Sequence, residues 1–187
     1  MPARTTWALA LLILAGAARA SETFPWTRES GCEFKPRDGI YPSALAALST
    51  VGLERRITNG LNLRAGRSNY HGPDNGESNP PYTAAVDLST RCLTPQSDSS
   101  IRTMLSKLAD LGFAAWYRQN GYDGWRGSAH IHAIFVGEPM KPQLRRQVRA
   151  WLEGNTGLAA HPGPYGFWEP TPEQREYIRA TFKQANP

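Results

Sequence analysis

Cysteine is scarce in this 187-residue chain, which contains only Cys32 and Cys92. Neither cysteine belongs to a Cys-x-x-Cys pair or stands beside a histidine, so the sequence argues against a cysteine metal site and against a catalytic thiol. An even pair of cysteines in an oxidising compartment is usually bridged. We therefore predict a disulfide between Cys32 and Cys92 if the protein is exported.

Long hydrophobic runs are missing after residue 20, so no later segment predicts a membrane-spanning helix. The apolar run within residues 1–20 follows Arg4 and ends in Ala18-Arg19-Ala20, which is typical of a cleavable signal peptide. Ser21 follows the predicted cleavage site, and the absence of a cysteine there argues against a lipid anchor. The sequence predicts a signal peptide over 1–20, one domain over 21–187, and a periplasmic or secreted protein.

A strong excess of charge is also missing. The net charge is +5, and it falls to +3 when Arg4 and Arg19 leave with the signal peptide. This mild balance would suit an anionic polymer such as a cell wall or nucleic acid, but many secreted proteins carry as much, and we do not expect nucleic acid as a partner. Internal repeats and low-complexity tracts are absent from the sequence as well, which agrees with a single domain.

The periodicity of apolar residues predicts a mixture of helices and short strands. The most regular helix pattern spans 99–111, where Ile101, Met104, Leu105 and Leu108 recur at helical spacing before Gly112. The other predicted helices are 43–51, 142–152 and 171–182. The predicted strands are 61–64, 82–88, 113–117 and 129–136. This order indicates an α+β domain, with helices flanking a small antiparallel sheet.

Histidine is the second scarce residue, and two of the four histidines form the element His130-Ile131-His132 in a predicted strand. Side chains alternate along a strand, so both imidazoles project from the same face. His71 lies in a polar loop, and Asp87 lies in the strand that follows this loop. Three imidazoles and a carboxylate in this arrangement are typical zinc ligands, so we predict a metal site.

The order His71, Ala85-Val86-Asp87 and His130-x-His132 resembles the metal signature of the zinc peptidases grouped around lysostaphin, the D-Ala-D-Ala carboxypeptidases and the hedgehog signalling domain. The resemblance covers about residues 60–136 of the chain. It implies a hedgehog-like or D-Ala-D-Ala-peptidase-like fold, a zinc cofactor and peptidoglycan peptides as substrate. It also implies His71, Asp87 and His132 as zinc ligands, with His130 as the base or the group that stabilises the transition state.

The resemblance further implies an arginine that stabilises developing negative charge, and Arg64 and Arg67 are equal candidates. Two features depart from the family pattern: His71 and Asp87 are 16 positions apart, and Ala129 stands where the carboxypeptidases have a catalytic glutamate. The pattern therefore favours the His-x-His branch, which cuts cross-links in cell walls. Asp74 or Glu77, in the inserted loop, are candidates to replace the glutamate.

Two other functions remain open from the sequence. The first is a non-catalytic module that keeps the fold and the zinc but only binds a cell wall or a protein partner. The second is an exported nuclease or phosphodiesterase, in which His130 and His132 would act as acid and base while Arg64 would hold phosphate.

Overall fold

A computed structural model of the chain describes residues 33–34, 37–63, 70–74, 80–91, 93, 96–121, 124–158 and 163–187. The predicted signal peptide, both cysteines, Arg64 and Arg67 lie outside these residues, so the predictions made for them stay predictions. Among the described helices, none combines the length and the apolar character that crossing a bilayer requires.

The second helix, α2, is the element that the sequence predicts best. It spans Asp98–Asp110 and buries Ile101, Met104, Leu105 and Leu108, which share one helical face. The side chain of Ser97 accepts a hydrogen bond from the Ser100 amide and caps the N-terminus. The helix ends just before Gly112, whose φ of 89° is readily adopted only by glycine. The prediction of a helix over 99–111 is therefore confirmed.

Three further α-helices are found in the described part of the chain. The third helix begins and ends where the sequence predicts, and the fourth begins with a capping box formed by Thr171 and Gln174. Gln174 also donates hydrogen bonds to α2, through Ser106 and the Asp110 carboxylate. The bounds of these helices are Pro42–Ser49 (α1), Pro142–Leu152 (α3) and Pro172–Ala185 (α4).

Four antiparallel strands form one sheet in the order β1-β2-β4-β3. Their bounds are Ile57–Asn59 (β1), Ala85–Ser89 (β2), Phe113–Arg118 (β3) and His130–Phe135 (β4). Since the described chain combines four α-helices with this small antiparallel sheet, the prediction of a mixed α+β class is confirmed. The narrower expectation of a hedgehog-like fold stays a prediction.

The predicted strand over 61–64 is wrong in its described part, 61–63. The strand that pairs with β2 is Ile57–Asn59, which comes earlier in the chain. Leu63 does not belong to a half-buried sheet face, because it is 63% exposed. The backbone of this segment has another partner: the Asn62 amide donates a hydrogen bond of 2.7 Å to the carbonyl of His71.

The register of the sheet brings polar side chains to one face. Asp87 on β2 pairs with His132 on β4, and His132 pairs with Trp116 on β3. His130 pairs with Arg118 in the neighbouring row. Directly opposed residues of antiparallel strands project to the same side, so these five side chains share one face of the sheet.

The opposite face and the outer edge of β3 are covered by the rest of the fold. Alternation directs Val86, Leu88 and Ile131 to the opposite face, where all three are fully buried. At the edge, the Trp151 indole donates to the carbonyl of Ala115, and the Tyr117 amide donates to the Tyr165 hydroxyl. These side chains occupy backbone groups that an exposed edge strand would offer to another chain.

Candidate metal centre

The carboxylate of Asp87 lies among three imidazole rings. Its Oδ2 atom is 3.1 Å from Nε2 of His71, and its Oδ1 atom is 2.9 Å from Nδ1 of His132. Nε2 of His130 is 3.8 Å from Oδ1. Strands β2 and β4 provide Asp87, His130 and His132, whereas His71 comes from the loop 70–74. The structure thus brings all four of these sequence-predicted residues together.

The ring of His71 lies between two oxygen atoms. Its Nδ1 atom is 3.3 Å from the carbonyl oxygen of Ala85, and its Nε2 atom faces Asp87. A neutral imidazole carries one proton and can donate to only one of these oxygens. The other nitrogen then presents its lone pair to an oxygen, unless a second proton or a metal ion lies between them. An imidazole whose Nδ1 donates to a backbone carbonyl is a common arrangement of metal-binding histidines.

His130 has a similar arrangement on the other side of Asp87. Its Nδ1 atom is 2.9 Å from the carbonyl oxygen of Ser128, while its Nε2 atom is directed toward Asp87. Donation from Nδ1 to this carbonyl leaves the lone pair on Nε2. His71 and His130 therefore both present Nε2 to the space around the carboxylate.

His132 is the most deeply buried of the three histidines, with a relative exposure of 2%. Burial, the largest influence on this ring, lowers the pKa of His132 below its ordinary value, so the imidazole is neutral at pH 7. Its Nδ1 atom contacts Asp87, but its Nε2 atom is buried and no described residue forms a hydrogen bond with it. Since only Nδ1 faces the carboxylate, Nδ1 is the atom through which His132 could share a metal ion with Asp87.

Asp87 is held in its charged form. Burial alone would raise the pKa of this carboxyl group, but hydrogen bonds from His132 and His71 outweigh burial and hold the pKa well below its usual range. Asn59 adds a further hydrogen bond, because its Nδ2 atom lies 3.1 Å from Oδ2 of Asp87. The site therefore combines a permanent negative charge with imidazole nitrogens.

His71, Asp87 and His132 together fit a metal ion. Each offers one ligand atom, and these atoms all lie within 4.8 Å of one another. Around a tetrahedral ion with bonds of about 2.0–2.1 Å, neighbouring ligand atoms are about 3.3 Å apart, close to the two contacts that Asp87 makes. The three residues could hold a metal ion, although their donor set does not by itself distinguish zinc from other first-row metals.

Aromatic rings border the cluster on several sides. The rings of Tyr70 and Trp116 lie 6.2 Å and 6.3 Å from the ring of His132. Trp125 meets His130 edge to face at 4.8 Å, and the guanidinium of Arg118 lies 4.6 Å from the centre of the Trp125 ring. Aromatic rings thus border the three candidate ligands, and the guanidinium of Arg118 lies on the Trp125 ring that contacts His130.

Sequence reasoning missed some residues of the site and misjudged another. Asn59 was missed because its role depends on the pairing of β1 with β2, which the alternation at 61–64 obscured. Asp74 is not the solvated carboxylate that a polar loop suggests, since its side chain is fully buried. Its Oδ2 atom accepts a hydrogen bond of 2.7 Å from the Ala84 amide. Glu77 lies outside the described residues.

Comparison of the chain with protein-family models, with curated protein sequences and with solved structures gives no match. The function is therefore inferred from the geometry of this site and from the resemblance of its sequence pattern.

Proposed function

We propose that the protein is an exported zinc-dependent peptidase that hydrolyses peptide bonds of peptidoglycan. The observation that carries the proposal is the convergence of His71, Asp87 and His132 within 4.8 Å, with His130 beside them. The sequence order of these residues resembles the zinc peptidases that act on cell walls. The signal-peptide pattern at the N-terminus agrees with a substrate outside the cytoplasm.

Two imidazoles and one carboxylate are a ligand set that leaves a position open for water or substrate. Zinc held by His71, Asp87 and His132 would lower the pKa of its bound water and polarise a substrate carbonyl. The protein supplies the fixed geometry: the Ala85 carbonyl orients His71, and burial in the sheet holds His132 in place. The burial of these rings excludes bulk water from the ligands.

His130 is the residue that we assign to proton transfer. Its Nδ1 atom is oriented toward the Ser128 carbonyl, so Nε2 is the atom that would accept a proton during peptide hydrolysis. Trp125 donates to the same carbonyl at 3.1 Å and packs against the His130 ring, which restrains its orientation. His130 could serve in this way without a glutamate at position 129.

Arg118 lies where it could stabilise developing negative charge, the role for which the sequence suggested Arg64 or Arg67. It lies directly opposite His130 on β3, and its guanidinium stacks on Trp125. A planar guanidinium can bind a carboxylate or a developing oxyanion through two parallel hydrogen bonds. We assign Arg118 to the binding of negative charge on the substrate.

Replacing His130 with glutamine is expected to separate metal binding from catalysis. We expect His130→Gln to keep about one zinc per chain and to digest peptidoglycan about 10²- to 10⁴-fold more slowly, the usual range for loss of a general base. The matched variant His132→Gln is expected to lose the zinc itself. The measurement is the release of peptides from purified peptidoglycan by zinc-loaded protein, followed by mass spectrometry, with and without a chelator.

Each outcome of this assay has a distinct meaning. A zinc-bound parent that releases no peptides would contradict the enzymatic proposal and favour the non-catalytic module. Digestion that a chelator does not affect would exclude the zinc mechanism. Loss of zinc from His130→Gln would show that His130 is a ligand and not the proton acceptor.

A further inference from the structure

A buried pair of opposite charges includes one residue of the loop that carries His71. The side chain of Asp74 is fully buried and that of Lys141 is 7% exposed, with Nζ of Lys141 3.7 Å from Oδ1 of Asp74. Lys141 is the N-cap residue of α3, far along the chain. The pair therefore joins the loop 70–74 to the start of a helix.

The polar atoms of this pair are bonded to the backbone around His71. Nζ of Lys141 donates a hydrogen bond of 2.5 Å to the carbonyl of Gly72, the residue next to His71. The Asp74 carboxylate accepts from the amides of Ala84 and Lys141 at 2.7 Å and 3.3 Å. Since Ala84 precedes β2, these bonds tie the loop to the strand that carries Asp87.

The backbone of His71 is also held by the segment that follows β1. The Asn62 amide donates to the His71 carbonyl at 2.7 Å, and the His71 ring contacts the Ala85 carbonyl. Residues 71, 72 and 74 thus each have a fixed partner. Their placement decides where Nε2 of His71 lies relative to Asp87.

Stability alone does not explain such a pair. Burial lowers the pKa of Lys141 and raises that of Asp74, so in both groups burial disfavours the charged form. Apolar residues of similar volume are often as stabilising as a buried ion pair, or more so. What apolar residues would not provide is a donor for the Gly72 carbonyl and an acceptor for the Ala84 amide.

We infer that Asp74 and Lys141 are positioning residues for the metal ligand His71, acting through the Gly72 carbonyl and the Ala84 amide. The inference builds on the proposed function, because it concerns how accurately His71 is positioned in the same metal site. Partners that orient a metal ligand typically change metal affinity by 10- to 100-fold when they are replaced.

The test compares zinc affinity in Lys141→Met, Asp74→Leu and the double variant of the full chain, by competition with a chromophoric chelator. We expect each single variant to bind zinc about 10- to 100-fold more weakly. The double variant should recover thermal stability, because no buried charge is left unpaired, but it should not recover affinity. Gln174→Ala is the matched control, since it breaks buried hydrogen bonds between α4 and α2 without touching the loop. Affinity that follows melting temperature in all four variants would overturn the inference.

A second measurement keeps the inference testable if the parent binds no zinc and the proposed function fails. Amide hydrogen exchange at Asn62, measured without metal, reports the bond from Asn62 to the His71 carbonyl. We expect Lys141→Met to speed this exchange about tenfold or more, with little change at Ile101 in α2. Unchanged exchange at Asn62 would show that the pair does not hold the loop.

Discussion

Asp87→Asn is expected to abolish metal binding at the site and, with it, any peptidase activity. Asp87 is the residue that all three imidazoles face, and its carboxylate has the only full negative charge among the described groups in contact with them. Asparagine has almost the same volume but no charge, so its amide oxygen is a much weaker zinc ligand than the carboxylate. We expect zinc affinity to fall by well over the roughly 100-fold that a supporting residue contributes.

The measurement is zinc affinity by chelator competition. Two control variants replace one residue that contacts Asp87 and one on the surface of α2. Asn59→Ala removes only the hydrogen bond that Asn59 donates to Asp87, so a loss of about 10-fold is expected. Asp98→Asn changes an exposed carboxylate in the first turn of α2 and should leave affinity unchanged. An Asp87→Asn variant that binds zinc as tightly as the parent would show that Asp87 is not a ligand.

Trp116→Ala is expected to destabilise the protein by about 3–5 kcal/mol, the usual range for removing a buried tryptophan. Trp116 is fully buried, and its indole donates a hydrogen bond of 3.1 Å to the Asn155 carbonyl. It also pairs with His132 across the sheet. Alanine would leave a cavity beside His132 and would leave the Asn155 carbonyl without its donor.

Urea unfolding of the metal-free protein measures this effect. The control is Tyr177→Ala, which removes an aromatic ring that is 49% exposed and should change stability by about 0.5 kcal/mol or less. Trp116→Phe keeps most of the buried volume but not the indole donor. Its loss of stability should therefore lie between those of Trp116→Ala and Tyr177→Ala. A Trp116→Ala variant within about 1 kcal/mol of the parent would contradict the packing described for this face.

The periodic parts of the sequence predicted the fold well. The helical spacing of Ile101, Met104, Leu105 and Leu108 located α2 because one continuous apolar face has to be buried. The strand alternation of His130-Ile131-His132 correctly placed both imidazoles on one face. These predictions succeed because local geometry alone decides which side chains share a face.

The parts that failed depend on contacts between distant segments. β1 is only three residues long, so its alternation is too short to distinguish it from the neighbouring segment 61–63. The burial of Asp74 depends on Lys141, which is 67 positions away and offers no local signal. A loop carboxylate in a polar segment looks solvated until the start of α3 is placed against it.

The central claim, that His71, Asp87 and His132 hold a zinc ion, is tested most directly by elemental mass spectrometry of the protein, expressed from the full chain and purified without a histidine tag. The account predicts about one zinc per chain, retained through gel filtration and lost in both His132→Ala and Asp87→Ala. No bound metal in the parent after reconstitution with zinc would contradict it.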